Sequence, residues 1–191
     1  MMKRWQLGDV LGAVLFAFLL GVRLRQAVNG SWFALALVVQ AGAAVFLFLT
    51  RRAERDGAPL YRKLTAWCAV LLPFGLQADG KTQWVWLAVS AFGVAFSLWG
   101  LASLGRSFGI APSDRGLVTC GAYRLVRHPM YLGELLSYAA AAAGSPVLFN
   151  LMLLALIAAS FALRIRWEEE TIGGYAAYRR QVRWRLLPGV W

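Results

Sequence analysis

An all-α, polytopic transmembrane helical bundle is the fold class this sequence predicts, and three observations predict it. Hydrophobic residues make up 60% of the 191 residues, and the mean hydropathy is +0.57, both too apolar for an ordinary soluble domain. The apolar residues fall into runs close to the roughly 20 residues that cross about 30 Å of hydrocarbon at about 1.5 Å per residue. The arginines sit in short clusters between those runs, as they do in membrane loops.

The first run, Leu7 to Val22, follows Lys3 and Arg4. It is longer than a signal-peptide core and lacks a small-x-small cleavage site, so it reads as a retained helix. Ser31 to Thr50 is a second span of full length. Arg51, Arg52, Glu54, Arg55, Asp56, Gly57 and Pro59 then form a polar loop. A shorter third run, Leu64 to Gln77, contains Pro73, which kinks or ends a helix. The fourth, Thr82 to Leu104, carries Trp84, Trp86 and Trp99, amphipathic rings suited to the headgroup level as lipid anchors.

Met130 to Ile165 is about twice the length of one span, and Gly144-Ser145-Pro146 near its middle divides it into a helical hairpin over 129–165. Arg166 to Trp191 is a charged, aromatic tail with too little apolar length to cross again. The expectation is one membrane domain over 1–191, with four spans in 1–104 and two in 105–191.

Six spans separate the basic residues. One side carries Lys3, Arg4, Arg51, Arg52, Arg55, Arg62, Lys63, Arg106, Arg115, Arg124, Arg127 and the tail; the other carries Arg23, Arg25 and Lys81. By the positive-inside rule both termini are cytoplasmic, and the His128 stretch shares their face. The brevity of the loops and the arginine- and alanine-rich composition suggest a bacterial inner membrane. The net charge of +11 points to anionic membrane lipids rather than nucleic acid, because the charges are interleaved with apolar runs. Cys68 and Cys120 form no disulfide framework and have no metal-ligand spacing to the single histidine, so no metal is expected.

Chemistry concentrates in Gly116 to Gly133, G-L-V-T-C-G-A-Y-R-L-V-R-H-P-M-Y-L-G, which holds His128, the only histidine, among Tyr123, Arg124, Arg127 and Tyr131. A helix beginning near Arg127 places His128 and Tyr131 on one face at i and i+3, with Pro129 in the first turn. On the other side of the hairpin stand Arg164-Ile165-Arg166-Trp167-Glu168-Glu169-Glu170, then Gly174-Tyr175-x-x-Tyr178 and Arg185-Leu186-Leu187-Pro188-Gly189. Arg164 and Glu168 are four apart and can pair on a helix. Glu134, one turn past Tyr131, is a carboxylate inside the membrane-embedded helix, where pairing, function or an interfacial position is required. Asp9 reads as interfacial.

The L-V-T-x-G-x-Y-x-x-V-R-H-P-M-Y-x-G arrangement closely resembles the central signature of the isoprenylcysteine carboxyl methyltransferase family, integral membrane enzymes that use S-adenosylmethionine. The R-I-x-x-E-E, G-x-x-Y-x-x-Y and R-L-x-P-G elements that follow have family counterparts in the same order. The resemblance covers roughly the last half of the chain and makes 105–191 the methyltransferase core. It implies cofactor contacts at Leu117, Val118, Tyr123, His128, Pro129, Met130, Tyr131 and Glu168, and a catalytic pair in Arg164 and Glu168. Arg164 is matched to the arginine that meets the methyl acceptor, with Glu134 as a second substrate-side residue. A guanidinium suits a carboxylate or phosphate because it stays charged and donates two parallel hydrogen bonds. Arg115 and Gly116 replace a histidine found before L-V-T in many members, and the stretch between Glu169 and Tyr175 is about one turn shorter than the family pattern.

The implied activity is methyl transfer to a lipophilic acceptor, foremost a carboxylate of the isoprenylcysteine type. A phospholipid amine is the nearest alternative. Membrane sterol reductases carry a similar R-H-P-x-Y element, which would imply NADPH, and a non-enzymatic scaffold or transporter would bind neither cofactor.

Overall fold

The computed structural model describes residues 7–28, 32–52, 58–77 and 83–191. Lys3, Arg4, Ser31, Glu54, Arg55, Asp56, Gly57, Lys81, Thr82 and the side chain of Asp9 lie outside the described residues. The described residues are helical, without strands: α1 Leu7–Val28, α2 Trp32–Thr50, α3 Leu60–Leu71, α4 Trp84–Leu104, α5 Pro129–Gly144, α6 Leu148–Thr171 and α7 Tyr175–Gln181.

Two helical stretches among them are long and apolar enough to cross a membrane, Trp84–Ser107 and Leu148–Thr171. The six-span expectation is therefore met for the fourth run and the second arm of the hairpin. The third run gives a helix of 12 residues, α3, which passes at Pro73 into a 3-10 turn over Leu72–Gly75. The proline ring removes a main-chain donor and tightens the last turn. The hairpin forms where glycine and proline predict it: α5 ends at Gly144 and α6 begins at Leu148. Arg164 and Glu168 lie four apart on α6, but no pair forms between them. The Arg164 Nη2 donates instead to the Ile110 carbonyl at 2.7 Å, and Glu168 receives the Tyr131 hydroxyl.

Side by side, the main helix contacts run α1, α2, α4, α5, α6, α3. The α4–α5 pair is the closest of these, because the seam is built of small residues. A Cβ on Gly93 would lie 2.6 Å from the Gly133 carbonyl oxygen and 2.8 Å from the Ser137 nitrogen. One on Gly100 would lie 2.8 Å from the Met130 nitrogen, and one on Gly133 would collide with the Ser97 nitrogen. Without side chains between them the two backbones touch, the usual means of joining helices where lipid removes the hydrophobic drive. Ser90 and Ser137 complete the seam with a hydroxyl hydrogen bond of 2.7 Å.

At one end of the bundle, Asn150 is fully buried and its amide exchanges hydrogen bonds with the Gln77 main chain, accepting at 3.0 Å and donating at 2.9 Å. The opposite end gathers arginines. Arg52 N donates to the Arg106 carbonyl at 2.7 Å, Arg106 Nε to the Thr50 carbonyl at 2.7 Å, and Arg62 pairs with Glu170 at 3.0 Å. The residues following α2 and α4 thus meet one another, and Arg127, before α5, meets the segment after α6 at Arg183 and Trp184.

Candidate active site

Gly105, at φ 51, turns the chain out of α4, and the irregular segment 108–128 then folds against the end of α6 and α7. Asp114 fastens the two. Its Oδ1 accepts from the Gly116 nitrogen at 2.8 Å, and its Oδ2 from the Gly173 nitrogen at 3.5 Å. Gly174, at φ 79, supplies the left-handed turn into α7. That helix presents Tyr175 and Tyr178, three apart, to the interior, and Tyr178 donates to the Tyr123 carbonyl at 2.6 Å.

Between these walls lies a cleft, partly open to solvent, bounded by the 104–118 stretch, the start of α5, Glu168 of α6 and Tyr175 and Tyr178 of α7. His128 is the residue just before α5, with non-helical torsions and Pro129 in the first helical position. The helix therefore begins two residues later than Arg127. Even so, the His128 and Tyr131 rings lie 5.9 Å apart, because the chain bends into α5 at His128 and keeps its ring over the first turn.

Two adjacent carboxylates of α6 reach this histidine and do different work. Glu168 faces the cavity, with Oε1 accepting the Tyr131 hydroxyl and Oε2 3.8 Å from His128 Nδ1. Glu169 turns away into a cage of donors. Arg185 reaches it with Nε at 3.1 Å and Nη2 at 2.9 Å, Arg127 Nη1 at 3.1 Å, and His128 Nε2 at 3.3 Å. The Tyr175 hydroxyl stands 3.0 Å from His128 Nε2 and 3.4 Å from Glu169 Oε1. Burial pushes the Tyr123, Tyr175 and Tyr178 hydroxyls well above the ordinary phenol range, so all three stay protonated. Donating to the Glu169 carboxylate raises the Arg185 pKa, so this guanidinium stays charged.

Of the residues expected at the cofactor, Leu117, Val118, Tyr123, His128, Met130, Tyr131 and Glu168 line the cavity. Pro129 does not, since it is buried against α4 beside Gly100. Arg164 and Glu134 lie behind the lining. Arg164 is 3% exposed and stacks over the Tyr131 ring at 5.0 Å. Its Nε has no hydrogen-bond partner among the described residues. Glu134 and Arg164 feel one another's charge, but no hydrogen bond joins them.

The cage around Glu169 was not expected from the sequence. Tyr175 and Tyr178 carried a signal in their G-x-x-Y-x-x-Y spacing, and Glu169 in its place beside Glu168. Arg127 and Arg185 stood in the V-R-H-P and R-L-x-P-G elements, which gave them no role. The replacement residue Arg115 lines the cavity and donates to Ser113, so a cation still stands before L-V-T.

Residues 82–174 match the family model of phospholipid methyltransferases. The matched segment contains α4, α5, α6 and all of the cavity residues named above except those of α7, and the similarity suggests a membrane methyltransferase domain. It begins before α4, the helix whose seam positions α5. No curated protein matches the chain.

Proposed function

We propose that the chain is an S-adenosylmethionine-dependent methyltransferase acting on a lipophilic acceptor that carries an anionic group. The observation that carries this reading is the cavity lined mostly by the matched segment, with the Glu168 carboxylate and His128 on one wall, the Tyr123 and Tyr131 rings beside them, and Tyr175 and Tyr178 of α7 closing it. The donor set suits the cofactor. Glu168 accepts from an amino group or ribose hydroxyls, His128 and adjacent backbone groups meet a carboxylate or adenine edge, and Leu117 and Val118 offer apolar surface. Aromatic faces attract a sulfonium as they attract other cations. Bound S-adenosylmethionine would supply a methyl group activated as an electrophile on sulfur.

Arg164 would hold the acceptor. Its buried, half-partnered guanidinium suits a carboxylate of the isoprenylcysteine type, which is the acceptor the motif resemblance implies, and such a carboxylate is already nucleophilic at neutral pH. Positioning then supplies most of the catalysis. A phospholipid amine is the second reading, favoured by the family match over 82–174, with Arg164 on the phosphate and Glu134 near the amine. In either case the proposed orientation is cavity and termini toward the cytoplasm, in a bacterial inner membrane.

Calorimetry on detergent-purified protein tests the reading. S-adenosylmethionine and its demethylated product are expected to bind, and Glu168→Ala and His128→Ala to weaken both by about tenfold or more, the worth of a hydrogen bond to a charged group. Radiolabelled methyl transfer to prenylcysteine and to phosphatidylethanolamine then separates the acceptors. Binding of NADPH alone would move the chain to the reductase class, and binding of none would remove both.

A further inference from the structure

We propose that residues 124–125 and 183–190 form a foot that docks on anionic phospholipid headgroups of the bilayer receiving α4 and α6. The two segments lie side by side because Arg127 N donates to the Trp184 carbonyl at 2.8 Å and His128 N to the Arg185 carbonyl at 3.0 Å. These bonds are made at the two residues before α5, which places the segment at the level where the helices leave the apolar layer.

The segment has an inner and an outer side. Leu186 is buried, and it and Trp191 pack with Tyr131, Phe161 and Ile165 at the ends of α5 and α6. Arg185 is held inward by Glu169. The outward side chains are apolar and unpartnered: Leu125 is 54% exposed, Trp184 36%, Leu187 50% and Val190 77%. Arg124 and Arg183 are exposed beside them, and α7 adds Arg179 and Arg180 on its outer face. None of these four guanidinium groups has a side-chain partner among the described residues.

Charge decides the partner. Residues 171–191 contain four arginines and no acidic residue, and residues 115–133 contain three arginines and none. The neighbouring acids are spent internally: Asp114 on backbone nitrogens, Glu168 on Tyr131, Glu169 on its arginines and Glu170 on Arg62. A surface that mixes tryptophan, leucine and unpaired arginine at a helix exit fits the headgroup layer, where indole rings settle and each basic group is drawn to anionic lipid.

The test uses the full chain with Cys68→Ser and Cys120→Ser, reconstituted in nanodiscs of phosphatidylcholine with or without phosphatidylglycerol. A bimane probe is placed at Leu187→Cys, at Val190→Cys as a second position, or at Phe92→Cys on the exposed flank of α4. Lipids brominated near the headgroup are expected to quench the Leu187 and Val190 probes, more strongly with phosphatidylglycerol, and lipids brominated deep in the acyl chain to quench the Phe92 probe. Arg124→Gln and Arg183→Gln are each expected to lower the docked-to-undocked ratio about fivefold in phosphatidylglycerol, the effect of one basic group at an anionic surface. In phosphatidylcholine they change nothing. Quenching at Phe92 with none at Leu187 and Val190, which instead stay open to aqueous iodide, would overturn the foot alone and leave the surface to a soluble protein partner. No quenching at any position would overturn the membrane placement together with the foot.

Discussion

The two faces of α5 are held by opposite means. Toward α4, Met130, Gly133 and Ser137 meet Gly93, Ser97 and Gly100 with backbone against backbone, and the polar link seen among the described residues is one pair of hydroxyls. Toward α6, Tyr131 and Tyr138 stand against Phe161, and the residue before the helix, His128, is wedged between two carboxylates. The first face is sensitive to volume and indifferent to charge; the second is the reverse. A helix that presents a histidine to a polar cavity thus has one dry seam for placement and one charged end at the cavity.

Gly133→Leu attacks the dry seam and is expected to have the largest effect. Its side chain would enter main-chain atoms of α4 that have nowhere to move, so the cost should exceed the roughly 3 kcal/mol at the upper end of ordinary overpacking. Thermal unfolding in detergent should show it, and an unchanged midpoint would mean the helices are not in backbone contact.

Glu169→Gln attacks the charged end. Arg127 and Arg185 would lose their shared carboxylate, at a cost of about 2 kcal/mol for a hydrogen-bonded charged group that is only partly screened from water. Segment 183–191 should then become susceptible to proteolysis while α4 and α5 stay protected. The raised Arg185 pKa adds a pH expectation. A group whose folded pKa is raised contributes fully below its unfolded value and loses that contribution only as pH climbs through the raised one. Stability from this guanidinium should therefore be flat across neutral pH and fail only under strongly alkaline conditions. A midpoint that falls between mildly acidic and mildly basic pH would place the clamp's control elsewhere.

The smallest effects sharpen the comparison within the seam. Ser137→Ala removes the partner of Ser90 and should cost about 1 kcal/mol. Ser97→Ala should be neutral or slightly stabilising, because its buried hydroxyl has no hydrogen-bond partner among the described residues. Chemical denaturation of the two variants side by side measures the difference, and equal costs would contradict the assignment of these hydroxyls.

Much of the architecture was legible in the residue order. The apolar runs around Thr82–Leu104 and up to Ile165 became α4 and α6, and Gly144-Ser145-Pro146 became the turn between α5 and α6, because run length and helix-breaking residues act locally. The cavity wall was legible for the same reason at His128, Tyr131 and Tyr123, which lie within one short stretch. Glu168 was reached from R-I-x-x-E-E, whose spacing is also local.

Tertiary contact alone decided the rest. Pairing between Arg164 and Glu168 was allowed by their spacing, yet Arg164 turned to the Ile110 carbonyl, 54 residues away, because a buried guanidinium goes to whichever acceptor the fold brings within reach. Which of two adjacent glutamates faces the cavity cannot be read from E-E-E. Successive helix positions differ by about 100°, and only the placement of Tyr131 against one and Arg127 and Arg185 against the other separates their roles. The sequence by itself determined where the long apolar helices α4 and α6 lie and that polar residues gather around His128. Their division into lining, support and anchor came from the packing of α5 between α4 and α6, since burial and distance are properties of the assembled chain.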